Sequence, residues 1–336
     1  MPSQILIRKD PVRWGIIGAA NIGVRAVAPA IRASSNGKLV AVGSRNSQHA
    51  AELYAFAPNV RIYDSYQAII EDPDIEAVYI PLPNSLHAEW TIKALQAGKH
   101  VLCEKPLAVT REQGEEMVDV AQASQKLLME AFMYRFHPQI IWALEQIRSG
   151  AIGPVRLVRA SFSFDIRSHA ENIRLQPELA GGSLMDVGCY PINLFRAVYE
   201  HAPLSVVARV HVTSPTSVDL ATNAVLDYGD GRFGILDASF GLPSRQGAEI
   251  IGETGIITLP VPFTPGSYDM TAFVTQNGQM TEQTFSGVDQ YQLEVEHFAQ
   301  CIRSDRAPAL LLSETLENLA TIEAIYEAAG LDWPIV

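Results

Sequence analysis

A glycine-bearing turn near the N-terminus restricts the fold more than any other feature of the sequence. The apolar run VRWGIIGA (12–19) predicts a buried strand, and the stretch after Gly23 predicts a helix. Between them GAANIG (18–23) matches G-x-G-x-x-G, with alanine at the second glycine. In such a turn the glycines allow a tight bend and close packing, and the helix N-terminus offers free N–H groups to a pyrophosphate. The motif predicts a dinucleotide site, although a plain strand–helix turn would also produce it. The predicted contacts are Gly18, Ala20, Asn21, Ile22 and Gly23.

The first third of the chain repeats this alternation of strand and helix. Further apolar runs lie at 38–44, 77–83, 99–106 and 126–132, and helical stretches lie at 47–56, 87–98 and 110–123. Strands that alternate with helices in this way indicate a parallel, doubly wound sheet. Residues 1–133 are therefore predicted to form an α/β domain of the Rossmann type.

The pattern changes in the rest of the chain. Strand-like runs lie at 155–165, 204–212, 222–230, 231–240 and 248–260, and helices are predicted at 138–149, 290–303 and 313–329. Gly-Asp-Gly at 229–231 joins two of the alternating runs, which is a hairpin signal. Residues 134–336 are therefore predicted to form an α+β domain with an open, mainly antiparallel sheet and helices on one face.

Length and composition limit the remaining alternatives. The 336 residues exceed what one hydrophobic core usually supports, which agrees with two domains. The net charge of −12 argues against nucleic acid as a partner, because phosphate backbones bind clustered Lys and Arg. The three cysteines are far apart and the eight histidines lack metal-ligand spacing, so we expect no metal. Without an export signal or a run of about 18 apolar residues, we expect a cytoplasmic protein with no membrane span.

The end of the second strand predicts which nicotinamide cofactor binds. NAD-binding folds usually carry an acidic residue there for the ribose hydroxyls, whereas NADP-binding folds use an arginine for the 2′-phosphate. This strand ends in Val-Gly-Ser44-Arg45-Asn, with no acid. Arg45 can pair with a phosphate through its planar guanidinium, although many loop arginines are simply solvated. We predict NADP as the cofactor, with NAD bound at lower affinity.

Two further stretches carry groups suited to chemistry. Glu104, Lys105 and Pro106 follow a predicted parallel strand, and ligands of open α/β sheets bind beyond the carboxyl ends of the strands. The proline restricts Lys105 to an extended conformation. The second stretch is GGSLMDVGCYPIN (181–193), where Asp186 and Tyr190 are four residues apart and would share one helix face. Its glycines are expected to allow close approach of a ligand. A surface lysine, a helix-start acid and a packed tyrosine are the alternative interpretations.

Together these motifs resemble the Gfo/Idh/MocA oxidoreductases over the whole chain. Inositol-dehydrogenase-like members have D-x-x-x-H, and Tyr190 stands where that histidine would fall. The tyrosine, together with MEAFMYRFHP (129–138), is similar to the branch of glucose–fructose oxidoreductase, NADP-dependent aldose (xylose) dehydrogenases and dimeric dihydrodiol dehydrogenases.

The resemblance implies roles for individual residues. Tyr190 would be the general acid/base, and Lys105 would orient the reacting oxygen and lower the pKa of the tyrosine. Asp186 would orient the site or bind a second hydroxyl. Other predicted cofactor contacts are Ser44, Arg45, Pro81, Leu82, Asn84, His87, Glu104 and Lys105. Predicted substrate contacts are Arg135, Arg174 and Tyr291.

The resulting hypothesis is an NADP-dependent dehydrogenase. It would oxidise the anomeric hydroxyl of an aldopyranose to a lactone, or act on a related vicinal diol. An aldose–aldose oxidoreductase with tightly bound NADP is one alternative, and a non-catalytic NADP-binding sensor is another. The open sheet predicts a homodimer or homotetramer. The sequence does not name the sugar or the preferred direction of the reaction.

Overall fold

The computed structural model describes residues 10–213 and 217–333, and its internal contacts divide the chain into two units. The first unit contains the described residues up to 108, together with 112–133 and 291–315. The second contains 109–111, 134–290 and the described residues from 316 onwards. The sequence predicted a single boundary after residue 133. The structure differs because residues 291–315 return to the first unit.

A six-stranded parallel sheet forms the centre of the first unit. Its strands are Val12–Ile17 (β1), Gly37–Gly43 (β2), Arg61–Tyr63 (β3), Ala77–Ile80 (β4), His100–Glu104 (β5) and Leu128–Ala131 (β6). They lie in the order β3-β2-β1-β4-β5-β6. The order reverses between β1 and β4, and in sheets of this type ligands bind beyond the carboxyl ends of the strands at that point.

The α-helices of the described residues range from 6 to 17 residues in length. They are Ala28–Ala33 (α1), Ser47–Leu53 (α2), Tyr66–Glu71 (α3), His87–Gln96 (α4), Arg111–Ser124 (α5), Pro138–Arg148 (α6), Cys189–Tyr199 (α7), Gln290–Ser304 (α8) and Leu312–Ala328 (α9). Wide π-type turns at Gly23–Val27 and Leu184–Gly188 lead directly into α1 and α7. No helix in the described part of the chain is long and apolar enough to cross a membrane.

Helix α8 explains why the chain returns to the first unit. The ring of Phe298 lies 5.9 Å from the buried ring of Trp14 on β1. Arg303 donates to both carboxylate oxygens of Glu76, at 3.0 and 2.8 Å. These contacts join residues more than 200 positions apart, and the local pattern of α8 contains no signal for them.

The second unit is built on an eight-stranded sheet. Its strands are Val155–Asp165 (β7), Ser205–Val212 (β8), Asp219–Asp227 (β9), Phe233–Ser239 (β10), Gly241–Gly252 (β11), Gly255–Leu259 (β12), Met270–Gln276 (β13) and Gln279–Phe285 (β14). They lie in the order β14-β13-β12-β11-β7-β10-β9-β8, and all pairs are antiparallel except β10 with β7. These two sheets confirm the predicted fold class.

One face of the second sheet is buried and the opposite face carries exposed apolar side chains. Ala208, Leu226 and Leu236 point into the core. On the other face the register aligns Val207, Val225 and Ile235 in a row across β8, β9 and β10. Their exposed fractions are 67%, 42% and 39%. We call Val207, Val225 and Ile235 the apolar row.

The sequence analysis missed four elements. Strand β3 has three residues and α3 has six, which is too short for hydrophobic periodicity to be recognised. Strands β13 and β14 form a hairpin whose second strand is almost entirely exposed, so it lacks an apolar face. Asn277-Gly278 at the turn is a strong hairpin signal that was overlooked.

Candidate functional site

The glycine motif forms the bend between β1 and the first helix. Gly18 has φ +116°, a conformation that other residues rarely adopt, and its N–H donates to Gly43 O at 2.8 Å. An added Cβ would lie 2.9 Å from Leu82 Cδ2. At Gly23 an added Cβ would lie 3.2 Å from the Tyr54 hydroxyl. Asn21 is exposed, whereas Ala20 and Ile22 are half-buried. The two glycines therefore serve the tight bend and the close helix packing expected of a dinucleotide turn.

The end of β2 presents a hydroxyl and a guanidinium. The backbone of Ser44 is fixed by a hydrogen bond to Tyr63 O at 3.0 Å, and its Oγ accepts from Asn46 N at 3.1 Å. Arg45 is exposed, and its guanidinium lies 6.0 Å from the centre of the Tyr66 ring. Asn46 caps α2 by accepting from His49 N at 3.0 Å. The segment is therefore ordered by its own contacts.

Two loops at the carboxyl ends of β4 and β5 are joined by a buried histidine. The ring nitrogens of His87 lie 2.8 Å from Pro106 O and 2.8 Å from Leu82 O. The ring is inaccessible to solvent, so its role is to connect the loops rather than to contact a ligand directly. Pro81 and Leu82 precede it, and Asn84 begins a single helical turn before α4.

The protonation of His87 determines how many of these bonds form. A neutral imidazole has one N–H and can donate to only one carbonyl, whereas an imidazolium donates to both. Burial lowers the pKa of His87, and the charge of Lys105 acts in the same direction, while the two carbonyl acceptors oppose them. The neutral ring therefore holds one loop more tightly than the other.

The segment Glu104–Leu107 is held along its whole length. The Tyr79 hydroxyl donates to Glu104 Oε1 at 2.5 Å, and Leu107 N donates to Glu130 Oε1 at 2.9 Å. His87 contacts the carbonyl of Pro106, and the Lys105–Pro106 peptide is cis. Lys105 is thus carried by a backbone that is fixed on both sides.

Two buried carboxyls near this segment were missed by the sequence analysis. Burial is the main cause that raises the pKa of Glu130, to about 7. Burial and the nearby charge of Glu104 raise the pKa of Glu294 well above its usual range. Glu130 interrupts the apolar strand KLLMEAF, and an acid in such a strand is a signal that could have identified it. Glu294 lies on α8 without a comparable signal.

Asp186 and Tyr190 lie on one continuous helix of the second unit. Asp186 is in the wide turn and Tyr190 is in the first turn of α7. Arg174 Nε donates to Asp186 Oδ2 at 2.6 Å, so a predicted substrate contact is paired with a predicted catalytic residue. The Tyr190 side chain is only 5% exposed and packs against Phe162, Phe263 and Tyr134, with ring centres 5.4 to 5.8 Å apart.

The other predicted substrate contacts are divided between the units. Arg135 donates to Asn193 Oδ1 at 3.2 Å, and that oxygen also accepts from the Tyr134 hydroxyl at 2.6 Å. Tyr291 belongs to the first unit, at the start of α8. Within residues 10–213 and 217–333, no group of three or more His, Cys, Asp or Glu is placed to hold a metal ion.

Comparison with known proteins gives consistent matches. A family model described as "Oxidoreductase family, NAD-binding Rossmann fold" matches residues 12–132, and the GFO/IDH/MocA C-terminal domain matches 141–258. D-xylose 1-dehydrogenase (NADP(+)) 2 of Haloferax volcanii is 37% identical over 94% of this chain and 97% of its own. Trans-1,2-dihydrobenzene-1,2-diol dehydrogenase of Xenopus laevis is 31% identical over 96% of this chain and 99% of its own.

A solved structure is also similar over the whole chain. The 3-ketoreductase KijD10 of Actinomadura kijaniata, in complex with NADP and TDP-benzene, has a TM-score of 0.88 and 31% sequence identity. The match covers 95% of this chain and 98% of KijD10. These findings confirm the resemblance inferred from the motifs.

Proposed function

The chain belongs to the Gfo/Idh/MocA family of oxidoreductases, and from that premise we propose that it oxidises the anomeric hydroxyl of an aldopyranose to the lactone, with NADP as cofactor. The observation that carries the proposal is the fixed segment Glu104–Leu107 at the carboxyl end of β5. It holds a lysine at the sheet edge where ligands of doubly wound folds bind. The similarity to a xylose dehydrogenase supports an aldose as substrate.

The residues of the first unit fit a bound NADP. Gly18 has φ +116°, so this glycine permits the tight bend that would present the N-terminus of the following helix to a pyrophosphate. Arg45 is exposed at the end of β2, where the 2′-phosphate reader of NADP-binding folds lies, and Ser44 offers a hydroxyl beside it. When bound, NADP supplies the acceptor for the hydride that leaves the sugar carbon.

Replacing Arg45 with Ala is expected to weaken NADP binding by about tenfold to a hundredfold, because charge-assisted hydrogen bonds to the 2′-phosphate are lost. NAD lacks that phosphate, so its affinity should remain almost unchanged. Titration of both cofactors measures the difference. Lys38→Ala is the matched control, since it removes one exposed positive charge at the opposite end of β2. Equal losses for NADP and NAD in Arg45→Ala would exclude this role.

The chemical roles follow from the residue types. Oxidation breaks the C1–H bond, whose hydrogen leaves as hydride, and the O–H bond, whose hydrogen leaves as a proton. We assign the proton to Tyr190, which would take it as phenolate, and the positive charge that favours phenolate to Lys105. Asp186, paired with Arg174, would orient the site or bind a second hydroxyl of the sugar. In the reverse direction Tyr190 would donate the proton to a carbonyl oxygen.

An assay with free NADP and a panel of pyranoses, pentoses and vicinal diols tests the proposal. Continuous turnover with an aldose and free NADP is the expected result. One turnover followed by dependence on a second sugar would identify an aldose–aldose oxidoreductase with retained cofactor. NADP binding without turnover on any member of the panel would favour a sensor. Turnover only on a sugar ketone would favour a reductase similar to KijD10.

The apolar row predicts self-association through the outer face of the second sheet. Wild-type protein is expected to have the mass of a dimer or tetramer by light scattering at micromolar concentration. Ile235→Arg should lower that mass, because it places a charge in the apolar row that association would bury. Ile141→Arg on α6, where the side chain is also exposed, is the control. A monomeric wild-type mass would contradict the prediction.

A further inference from the structure

The helix that carries Asp186 and Tyr190 is capped by a residue from a distant strand. Its own N-cap residue, Ser183, makes no side-chain cap hydrogen bond. Helix N-termini leave free N–H groups that need acceptors. Here Asp219, at the start of β9, accepts from Leu184 N at 2.7 Å and from Ser183 Oγ at 2.6 Å through its Oδ2. A carboxylate at this end of a helix is also favoured by the helix dipole.

The carboxyl of Asp219 is completely buried, and both of its oxygens accept hydrogen bonds. Thr222 Oγ1 donates to Oδ2 at 3.1 Å, and the Tyr326 hydroxyl on α9 donates to Oδ1 at 2.6 Å. Burial alone raises the pKa of Asp219, and these donors oppose that rise. Four groups donate to the two oxygens, and a carboxylate can accept all four hydrogen bonds because it has no proton to donate.

The glycine pair before the helix makes room for this contact. Gly182 has φ +120°, and an added Cβ there would overlap Asp219 Oδ1. An added Cβ on Gly181 would overlap the carbonyl oxygen of Arg174. The sequence analysis attributed these glycines to close approach of a ligand. The structure shows that protein atoms occupy the space beside both of them.

The same segment is tied to Arg174 at two points. Gly182 N donates to Arg174 O at 2.9 Å, and Arg174 Nε donates to Asp186 at 2.6 Å. Asp219 therefore holds the backbone at the start of the helix, and Arg174 holds the side chain of Asp186. Shifting or rotating the first turn would break several of these bonds at once.

We propose that Asp219 is a positioning residue for the reaction, which sets the position and rotation of the helix bearing Asp186 and Tyr190. This inference rests on the proposed function, because it assigns a role through Tyr190. A misplacement of about 1 Å at a reacting group can cost about a hundredfold in rate. Asp219 thus acts on kcat although it touches neither substrate nor cofactor.

Two single-hydroxyl variants separate positioning from stability. Ser183→Ala and Tyr326→Phe each remove one donor that lies 2.6 Å from the same carboxylate. Ser183 lies at the start of the helix, whereas Tyr326 lies on α9. Both are expected to lower the melting temperature by similar amounts, since a buried hydrogen bond is worth about 1 kcal/mol. Only Ser183→Ala should lower kcat, by roughly tenfold. NADP affinity should stay unchanged in both.

Asp219→Asn provides a second measurement on the carboxylate itself. It keeps the shape but removes the charge, and we expect kcat to fall further than in Ser183→Ala, with KM for the sugar changed less than kcat. Circular dichroism and NADP titration establish that each variant is folded. The proposal is overturned if Ser183→Ala and Asp219→Asn keep kcat within about twofold of wild type, or if Tyr326→Phe loses as much kcat as Ser183→Ala.

Tyr190→Phe separates this test from the proposed function. If Tyr190→Phe turns over normally, the tyrosine has no role in catalysis and the proposed mechanism fails. If Tyr190→Phe is slow while the Asp219 and Ser183 variants are normal, the mechanism stands and the positioning role fails.

Discussion

Tyr190→Phe is expected to lower kcat by about 10²–10⁴-fold, the range typical of a lost general acid–base group. The substitution deletes only the hydroxyl. The ring keeps its contacts with Phe162, Phe263 and Tyr134, so the packing of the second unit should persist. NADP affinity should be retained, because the residues proposed to bind the nucleotide belong to the first unit. Steady-state kinetics at saturating NADP and sugar, with a parallel NADP titration, measure both effects.

Tyr199→Phe is the matched control for this prediction. Tyr199 lies on the same helix and is also buried, and its hydroxyl donates to Phe233 O at 2.7 Å. Removing that hydroxyl costs a buried hydrogen bond, about 1 kcal/mol, but no group proposed to exchange a proton. Near-normal kcat in Tyr190→Phe, or an equal loss in Tyr199→Phe, would return Tyr190 to a packing role.

Local patterns were sufficient to predict the first unit up to residue 133, apart from β3 and α3. Parallel strands buried on both faces read as continuous apolar runs, and the glycine turn defines where the first of them ends. Three of the four elements that escaped prediction, β3, α3 and β14, are short or exposed. Strand β3 has three residues, and β14 is mostly polar and lies at a solvent-exposed edge of its sheet.

The candidate site could be predicted only as a set of separate motifs. Lys105 and Tyr190 were found because each lies in a dense local pattern. Glu130 and Asp219, which hold the backbones around them, act across 23 and 35 positions, respectively. Such contacts depend on tertiary packing. The pairing of Arg174 with Asp186 was missed for the same reason, although both residues had been selected individually.

The glycines of GGSLMDVG show how a correct motif can carry a wrong physical reason. Two adjacent glycines before a helix suggested room for a ligand, as in the nucleotide turn. At Gly18 the left-handed conformation agrees with a tight nucleotide turn, and the atom nearest to an added Cβ belongs to the Leu82 side chain. At Gly182 the neighbouring atom is a buried carboxylate of the protein itself. At both positions the absent Cβ makes room for the protein itself, for Leu82 in the first unit and for the capping residue Asp219 in the second.

Lys105→Met is expected to lower kcat and to shift the appearance of oxidation activity to higher pH. The sign follows from the charge proposed for Lys105. An unperturbed tyrosine has a pKa of about 10, and a nearby ammonium favours the phenolate and lowers that value. Methionine has similar length but no charge, so the phenolate would form only at higher pH. Loss of an opposite charge at close range typically moves a pKa by about 1–3 units. The pH profile of kcat measures the shift.

Lys93→Met is the control for Lys105→Met. Lys93 is half-buried on α4, where its ammonium pairs with Glu89 and lies 4.5 Å from the centre of the Trp90 ring. This control should leave both kcat and the pH profile unchanged.

If Lys105 and Tyr190 serve the same proton transfer, the double variant Lys105→Met/Tyr190→Phe should be little slower than the slower single variant, since residues that act as one unit are non-additive. Multiplicative losses in the double variant would show instead that the two residues contribute independently. A slow Lys105→Met enzyme with an unshifted profile would assign the lysine to orienting the substrate oxygen without tuning the tyrosine.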